Sequence, residues 1–256
     1  NWLLGALLCG LSLRYDIRRA QMKGGLADNA IPREAEAAVY VRETDLAEIL
    51  SYAEAEEKKM RETLGDNDPG LQLEKVCHDV VVSIPAYTRK TTADALACIC
   101  KLPNGAVDMS EDVEGLVETS LNLGVMSLQE DGLRLSYAVR SSVDQSRENL
   151  CRHMIEISKR AGAAAQVRNA YPGWAYRKDS PLREKMVRIY EEMYGKKPVL
   201  EAIHAGLECG ILSGKIPDLD CVSIGPNLQN VHTAEESMDI ESVGRVWNYL
   251  LEVLKQ

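Results

Sequence analysis

Residues 116–141 read LVETSLNLGVMSLQEDGLRLSYAVRS, and this stretch indicates the fold class most directly. Apolar and polar residues largely alternate on both sides of Glu130-Asp131-Gly132. The pattern therefore predicts two strands, Leu116 to Gln129 and Leu133 to Ser141, joined by a hairpin turn. A helix is predicted next, from about Ser146 to Gly162. Because helices and strands alternate along the chain, we expect an α/β fold.

The regions on either side continue this alternation. A strand, a turn and a second strand are predicted over Arg14 to Met22 and Glu36 to Val41, and a helix over Asp45 to Leu64. Gln166 to Tyr171 reads as a returning strand. The segment from Pro172 to Pro181 interrupts the pattern, and we interpret it as the crossing between two domains.

Beyond this crossing, the predicted elements are shorter. Leu182 to Tyr194 is an amphipathic helix that Gly195 ends. Val199 to His204 and Cys221 to Ile224 read as short strands. A final helix is predicted from an apolar stripe at helical spacing, formed by Ile240, Val243, Trp247, Leu250, Leu251 and Leu254.

Composition limits the classes of function. The 256 residues are 45% hydrophobic and carry a net charge of −9, which argues against a nucleic-acid-binding surface. The apolar opening, residues 1–13, is too short to span a membrane and is interpreted as the end of a buried helix. The seven cysteines form no CxxC pair, and Cys98-Ile99-Cys100 reads as part of a strand. We expect a cytoplasmic protein without nucleic-acid or membrane partners.

Two of the four histidines lie in a region rich in glycine turns and carboxylates. His204 begins the run His204-Ala205-Gly206-Leu207-Glu208, and His232 follows a Gly225-Pro226 turn. Such residues could hold a metal ion or an oxyanion, although each histidine could also be an ordinary polar residue at a loop end. Gly206 could let backbone N–H groups approach a substrate, or could serve a tight strand-to-helix junction. Glu208 could line a pocket or stabilise a helix N-terminus.

Several motifs together resemble one enzyme family. They are Asn29-Ala30-Ile31-Pro32-Arg33-Glu34-Ala35, Gly115 to Gly124, Val139-Arg140-Ser141-Ser142, Tyr171-Pro172-Gly173-Trp174, Asp179-Ser180-Pro181-Leu182 and the histidine-containing segments above. In content and order they resemble the aminoacyl-histidine dipeptidases (Xaa-His or cytosol non-specific dipeptidases), which are two-zinc metallopeptidases. The resemblance covers nearly the whole chain. It implies an enzyme that hydrolyses dipeptides with two Zn²⁺ ions, or with Mn²⁺ or Co²⁺.

The resemblance also implies individual roles. His232 is expected to be a metal ligand, although Ala234 stands where proline is usual in the family. Arg140 is expected to pair with the substrate carboxylate, and Asn29 to hydrogen-bond the substrate. His204, Gly206 and Glu208 are expected to line the substrate pocket. His78 and His153 have no such support and are interpreted as structural.

The same comparison implies the organisation of the protein. Residues 1–177 are expected to form a lid domain that grips substrate and dimerises, and residues 178–256 the C-terminal part of a catalytic domain. The remaining metal ligands are expected on a preceding segment, so this chain alone is expected to be inactive and to lack catalytic residues of its own. The alternative is a non-catalytic binding or assembly module from a split or truncated gene.

Overall fold

A computed structural model of the chain describes residues 1–78, 86–129, 132–202, 208–231 and 235–255. The chain divides into two compact units. The first contains Asn1–Val107, Ser120–Val139 and Gln145–Arg168, and the second contains Asp108–Thr119, Arg140–Asp144 and Asn169–Gln256. The expected domain boundary at residue 177 remains a prediction.

A five-stranded sheet is formed by strands that lie between residues 18 and 141. Its strands are β1 (Arg18–Gly24), β2 (Ala35–Tyr40), β3 (Gly105–Met109), β4 (Val117–Gln129) and β5 (Gly132–Ser141). The order is β2-β1-β4-β3, and β5 also pairs with β4. β1 and β2 are antiparallel, with Arg18 opposite Tyr40 and Gly24 opposite Ala35. The two strand pairs predicted from alternation are therefore confirmed, while residues 130 and 131 of the predicted turn lie outside the described ranges.

Three helices build the core of the first unit: α1 (Trp2–Ser12), α2 (Leu46–Leu64) and α3 (Arg89–Lys101). Their buried side chains form one cluster with β1 and β4, made of Leu7, Leu8, Leu11, Ile17, Met22, Ile49, Ala53, Leu96, Ile99, Leu123 and Met126. α1 approaches α3 closely because Gly5 has no side chain; a Cβ atom there would lie 2.5 Å from Cγ2 of Ile99. The apolar opening is thus a buried helix, as expected. α4 (Asp144–Arg160) confirms the helix predicted after the hairpin.

The second unit is built mainly from helices. These are α5 (Pro181–Tyr194), α6 (Glu208–Lys215) and α7 (Ile240–Lys255), with two short strands, β6 (Leu228–Gln229) and β7 (Ser237–Met238). α5 and α7 pack through Met186, Ile189, Tyr249 and Val253. Gly195 ends α5 in the left-handed conformation with φ of 68°, as its position after the amphipathic pattern predicted.

Four local predictions were wrong. Cys98-Ile99-Cys100 lies inside α3, because Thr92, Leu96 and Ile99 form a buried helical face. Gln166 to Tyr171, Cys221 to Ile224 and the described part of Val199 to His204 contain no strand. Strand-like composition alone did not determine pairing there, since a strand needs a partner.

Among the described helices, none combines the length and apolar character that a membrane-spanning segment requires. All seven cysteines carry free thiols.

Candidate functional site

The six predicted site residues divide into two groups. Arg140, Asn29 and Glu208 lie within the described ranges, whereas His204, Gly206 and His232 lie outside them. Contacts are therefore defined for the first group and for the motifs that flank the second.

The end of β5, which carries Arg140, is held by a small hydrogen-bond network. The hydroxyls of Ser141 and Thr119 are 2.9 Å apart and both are buried. The Ser141 hydroxyl also donates to the carbonyl of Val143 at 3.0 Å, and the amide of Ser142 donates to the carbonyl of Glu118 at 3.2 Å. Arg140 is half-buried. The backbone that carries its side chain is therefore held in place by hydrogen bonds of its neighbours.

The Pro172-Gly173 motif packs directly on this strand end. The amide of Gly173 donates to the Asp144 carboxylate at 2.8 Å. A Cβ atom on Gly173 would lie 2.5 Å from the carbonyl oxygen of Ser142, so no other residue fits without displacing the backbone.

Helix α6 packs on the other side of the same motif. Gly210 and Gly214 are four residues apart and therefore lie on one face of the helix. A Cβ atom on Gly210 would lie 2.9 Å from the Pro172 carbonyl oxygen, and one on Gly214 would lie 2.9 Å from Cγ of Pro172. Two predicted motifs, Val139–Ser142 and Tyr171–Trp174, are thus stacked with α6.

Glu208 is the first residue of α6 and is exposed. A carboxylate at this position interacts favourably with the helix dipole, which is one of its two predicted roles. The pocket role remains a prediction, because residues 203–207 lie outside the described ranges.

The neighbouring thiol of Cys209 is unsuited to nucleophilic chemistry. Burial raises its pKa, and the nearby thiol of Cys221 adds to the effect. Cys221 in turn accepts a hydrogen bond of 3.6 Å from the Ser213 hydroxyl. Because the thiolate is the nucleophilic form, this raised pKa lowers the reactivity of Cys209 at neutral pH.

A second network fixes the start of α5. The Ser180 hydroxyl donates to the Asp220 carboxylate at 2.7 Å, and the amide of Leu182 donates to it at 2.9 Å. Ser180 also accepts from the amide of Arg183 at 3.1 Å as the N-cap of the helix. Burial of Asp220 opposes its ionisation, but these hydrogen bonds, with the charges of Arg177 and Arg183, outweigh burial and lower its pKa.

Asn29 lies in the first unit, on the exposed loop between β1 and β2. The side-chain amide of Asn122 on β4 donates to the carbonyls of Ala30 at 2.9 Å and Asp28 at 3.4 Å. A Cβ atom on Gly124 would lie 2.2 Å from the Asp28 carbonyl oxygen. The loop on both sides of Asn29 is therefore fastened to β4, and its presentation at the surface is defined.

The second unit also contains a cleft of about 380 Å³ between α5, α7 and the Gly225 turn. Its described lining is formed by Tyr190, Tyr194, Lys196, Gly225, Asn227, Ser242, Arg245, Val246 and Tyr249. None of these is a predicted site residue, so the cleft does not identify the site.

Within the described ranges, no group of three or more histidine, cysteine, aspartate or glutamate residues could hold a metal ion. The described residues therefore do not form the expected metal centre by themselves. Its predicted ligand, His232, lies outside these ranges.

No family model matches the chain. The chain is nevertheless similar to individual proteins in sequence and in structure. The chain is 33% identical over all 256 residues to the cytosol non-specific dipeptidase of Escherichia coli (strain K12). The crystal structure of aminoacylhistidine dipeptidase from Vibrio alginolyticus superposes on 99% of the chain with a TM-score of 0.87 and 30% identity. The predicted resemblance to the aminoacylhistidine dipeptidases is confirmed.

This similarity also confirms the α/β class. The chain spans about half the length of these relatives, 52% of the first and 51% of the second. An aminopeptidase PepT from Bacillus cereus ATCC 10987 matches 62% of the chain and 43% of its own length, with a TM-score of 0.50 and 21% identity. That more distant match shows the fold alone.

Sequence reasoning missed the residues that hold the site together. Ser180 followed by Pro181 is a recognisable helix start, because proline is favoured in the first turn after an N-cap residue. Asp220 gives no comparable signal, since it lies 40 residues away along the chain. The packing roles of Gly173 and Gly210 depend on which segments approach them, and this is visible only in the fold.

Proposed function

We propose that this chain is part of a metal-dependent dipeptidase that hydrolyses Xaa-His and related dipeptides. The main support is the match of the entire chain to half of two dipeptidases. The stacking of the Arg140 and Gly173 segments with α6 adds support, because it gathers two of the family-like motifs in one unit.

In this proposal the chain contributes substrate-binding groups and one metal ligand. The planar guanidinium of Arg140 pairs with the free carboxylate of the dipeptide, which favours short substrates. Asn29, His204, Gly206 and Glu208 complete the substrate contacts. His232 supplies one imidazole, and the other ligands come from outside this chain, because one imidazole cannot hold two metal ions. The bound Zn²⁺, or Mn²⁺ or Co²⁺, would polarise the peptide carbonyl and activate water.

We further propose that the assembled enzyme is a homodimer through the region 1–177 and acts in the cytoplasm. A dimer mass in light scattering, lost when residues 1–177 are removed from the assembled enzyme, would support the first point.

Reconstitution tests the proposed activity. The chain is purified alone, and also co-expressed with the part of the E. coli dipeptidase that lies outside the aligned region. Hydrolysis of an Xaa-His dipeptide is measured with added Zn²⁺ or Mn²⁺, and metal content is measured by elemental analysis. We expect no turnover by the chain alone and turnover by the combination.

His232→Ala is the informative variant, because loss of the ligand should lower metal content and rate together. His153→Ala, an exposed histidine on α4, is the matched control and should change neither. Turnover by the isolated chain, or a combination that binds metal but hydrolyses no dipeptide, would contradict the proposal.

A further inference from the structure

Asn122 is a polar residue of β4 whose side chain makes hydrogen bonds to a neighbouring loop. Leu121 and Leu123 are buried on one face of the strand, and Asn122 lies on the opposite face because side chains alternate along a strand. Leu123 belongs to the core of the first unit. Its amide donates to Oδ1 of Asn104 at 3.0 Å, and its carbonyl accepts from the Asn1 side chain at 3.0 Å. The strand that carries Asn122 is therefore firmly held.

The loop consists of residues 25–34, between β1 and β2, and it contains a tight turn. The amide of Ala30 donates to the carbonyl of Ala27 at 3.4 Å. Asp28 and Asn29 are therefore the two central residues of a β-turn, and both are exposed. Asn29, a substrate contact in the proposed function, thus lies at the tip of this turn.

The Asn122 carboxamide holds this turn on both sides of Asn29. Its Nδ2 donates to the carbonyl of Ala30 at 2.9 Å and to the carbonyl of Asp28 at 3.4 Å. Because both partners are carbonyl oxygens, only the NH2 group of the carboxamide satisfies them, with one hydrogen to each. One side chain thus fixes the peptide groups before Asn29 and after Ala30, and this sets the direction in which the Asn29 side chain leaves the backbone.

The loop reaches Asn122 because Gly124, two residues further along the same face of β4, has no side chain. A Cβ atom on Gly124 would overlap the backbone of Asp28, whose Cα atom would lie 2.6 Å away. Gly25 opens the loop with φ of 74°, which favours glycine, and a Cβ atom there would overlap the Gly124 carbonyl oxygen. The loop therefore lies directly on the strand, within reach of a side chain as short as that of asparagine.

We propose that Asn122 is a positioning residue for the dipeptide substrate, because it holds the turn that presents Asn29. The inference rests on the proposed function, in which Asn29 hydrogen-bonds the dipeptide. Without the Asn122 bonds, the turn would be closed only by the 3.4 Å bond between Ala30 and Ala27. A site that must first be ordered binds its ligand more weakly, in proportion to the fraction of molecules that is already ordered. Asn122 therefore acts through Asn29 and not on the substrate itself.

Limited proteolysis of the chain tests the hold on the loop without reference to activity. Asn122→Asp keeps the shape of the side chain and replaces its NH2 donors by an acceptor oxygen. Arg33 is exposed in the same loop and is a trypsin site, and exposed Arg168 is an internal reference in the first unit. We expect cleavage after Arg33 to become about threefold or more faster in the variant, while cleavage after Arg168 changes by about 1.5-fold or less.

Kinetics test the role of Asn122 in the site. The variants are made in the chain co-expressed with the unaligned part of the E. coli dipeptidase. We expect Asn122→Asp to raise KM for an Xaa-His dipeptide about fivefold to twentyfold and to change kcat about twofold or less, because substrate binding must then also order the turn. Asn122→Gln keeps both donors on a longer side chain and should recover part of the loss. Metal content should stay constant.

Asn149→Asp is the matched control. Asn149 is exposed on α4 in the first unit, and its Oδ1 accepts a hydrogen bond from Gln145 at 2.9 Å, which an aspartate retains. The substitution makes the same change of charge away from the loop. It should alter neither KM nor the cleavage after Arg33.

A double-mutant cycle separates positioning from a general structural role. If Asn122 acts through Asn29, Asn122→Asp should change KM about twofold or less in the Asn29→Ala background. Full multiplication of the two effects would overturn the inference, as would an unchanged KM in either single variant or unchanged cleavage after Arg33. A parent assembly that hydrolyses no dipeptide would contradict the proposed function and this inference together, whereas the other outcomes would overturn this inference alone.

Discussion

At the scale of single residues, the candidate site depends on two glycines, which have no side chain and so allow close packing of the backbone. Gly173 and Gly210 allow three backbone segments to meet, and the carbonyl oxygens of Ser142 and Pro172 occupy the space that a Cβ atom would need. Arg140 is held in place through Ser141 and Ser142, its neighbours, which make the hydrogen bonds. The packing around Arg140 is therefore carried by residues other than the proposed substrate-binding residue itself.

Gly173→Ala tests this packing. The new methyl group would lie 2.5 Å from the Ser142 carbonyl oxygen, so the backbone must shift. Over-packing of this kind lowers the free energy of unfolding by about 1–3 kcal/mol. Urea denaturation monitored by circular dichroism measures the loss.

Gly244→Ala is the matched control in the same unit. Gly244 lies within α7, and a Cβ atom there would meet no atom of the surrounding structure within 4 Å. Alanine should therefore raise the free energy of unfolding by about 0.5–1 kcal/mol, because it restricts the unfolded chain and favours the helix. Equal effects of the two substitutions would show that the close approach at Gly173 is not constrained.

At the scale of elements, the start of α5 connects two segments of the second unit that are distant in sequence. Ser180 is 2% exposed and serves both as the N-cap of α5 and as a donor to Asp220. The segment that precedes the Gly225 turn is thereby tied to the start of a long helix. Loss of the cap in Ser180→Ala should cost about 1 kcal/mol.

The ionisation of Asp220 makes this junction sensitive to acid. Its pKa is lower in the folded chain than in the unfolded chain, so its contribution to stability is fully present above the unfolded pKa of about 4. The contribution is lost as the pH falls through the lower folded pKa. Asp220→Asn should therefore lower the urea midpoint at pH 7, and the difference from the parent chain should shrink towards pH 3.

Asp218→Asn is the control for this experiment. The backbone carbonyl of Asp218, rather than its side chain, accepts the hydrogen bond from Arg177, and its φ of 59° suits asparagine. Its urea midpoint should follow that of the parent chain at both pH values. A deficit in Asp220→Asn that is as large at pH 3 as at pH 7 would mean that the charge of Asp220 is not involved.

At the scale of the whole molecule, the proposed activity needs more than this chain. The chain matches about half of each dipeptidase, and within the described ranges no group of three or more histidine, cysteine, aspartate or glutamate residues could hold a metal ion. In the proposed enzyme the remaining ligands come from outside this chain, so the activity can be tested only in the assembly.

The role of Arg140 can be measured only in that assembly. If its guanidinium pairs with the dipeptide carboxylate, Arg140→Ala should lower kcat/KM by roughly tenfold to a hundredfold, since a charge-assisted hydrogen bond contributes about 1.5–3 kcal/mol. Arg140→Lys should lose the two-pronged geometry and recover the rate only in part. Metal content should stay constant.

A dipeptide amide provides the control substrate. It lacks the carboxylate, so its hydrolysis should change little when Arg140 is replaced. A similar loss for the free acid and the amide would assign Arg140 to structure.

The sequence by itself determined the long regular elements, the α/β class and the family resemblance. Hairpin strands β4 and β5, helices α2, α4, α5 and α7 and the buried opening helix α1 were all predictable, because their apolar periodicity is local and extends over many residues. The candidate residues were named from motifs alone. His204, Gly206 and His232 remain predictions, since they lie outside the described ranges.

Only the tertiary structure decided the short segments and the contacts. Residues 98–100 joined a helix because its neighbouring turns were buried, and residues 221–224 formed no strand because no described strand lies beside them as a partner. The stacking at Gly173, the Ser180–Asp220 bond and the exposure of one apolar side of α7 also emerged only in three dimensions. The physical reason is shared: each depends on residues distant in sequence, whose proximity is a property of the folded chain.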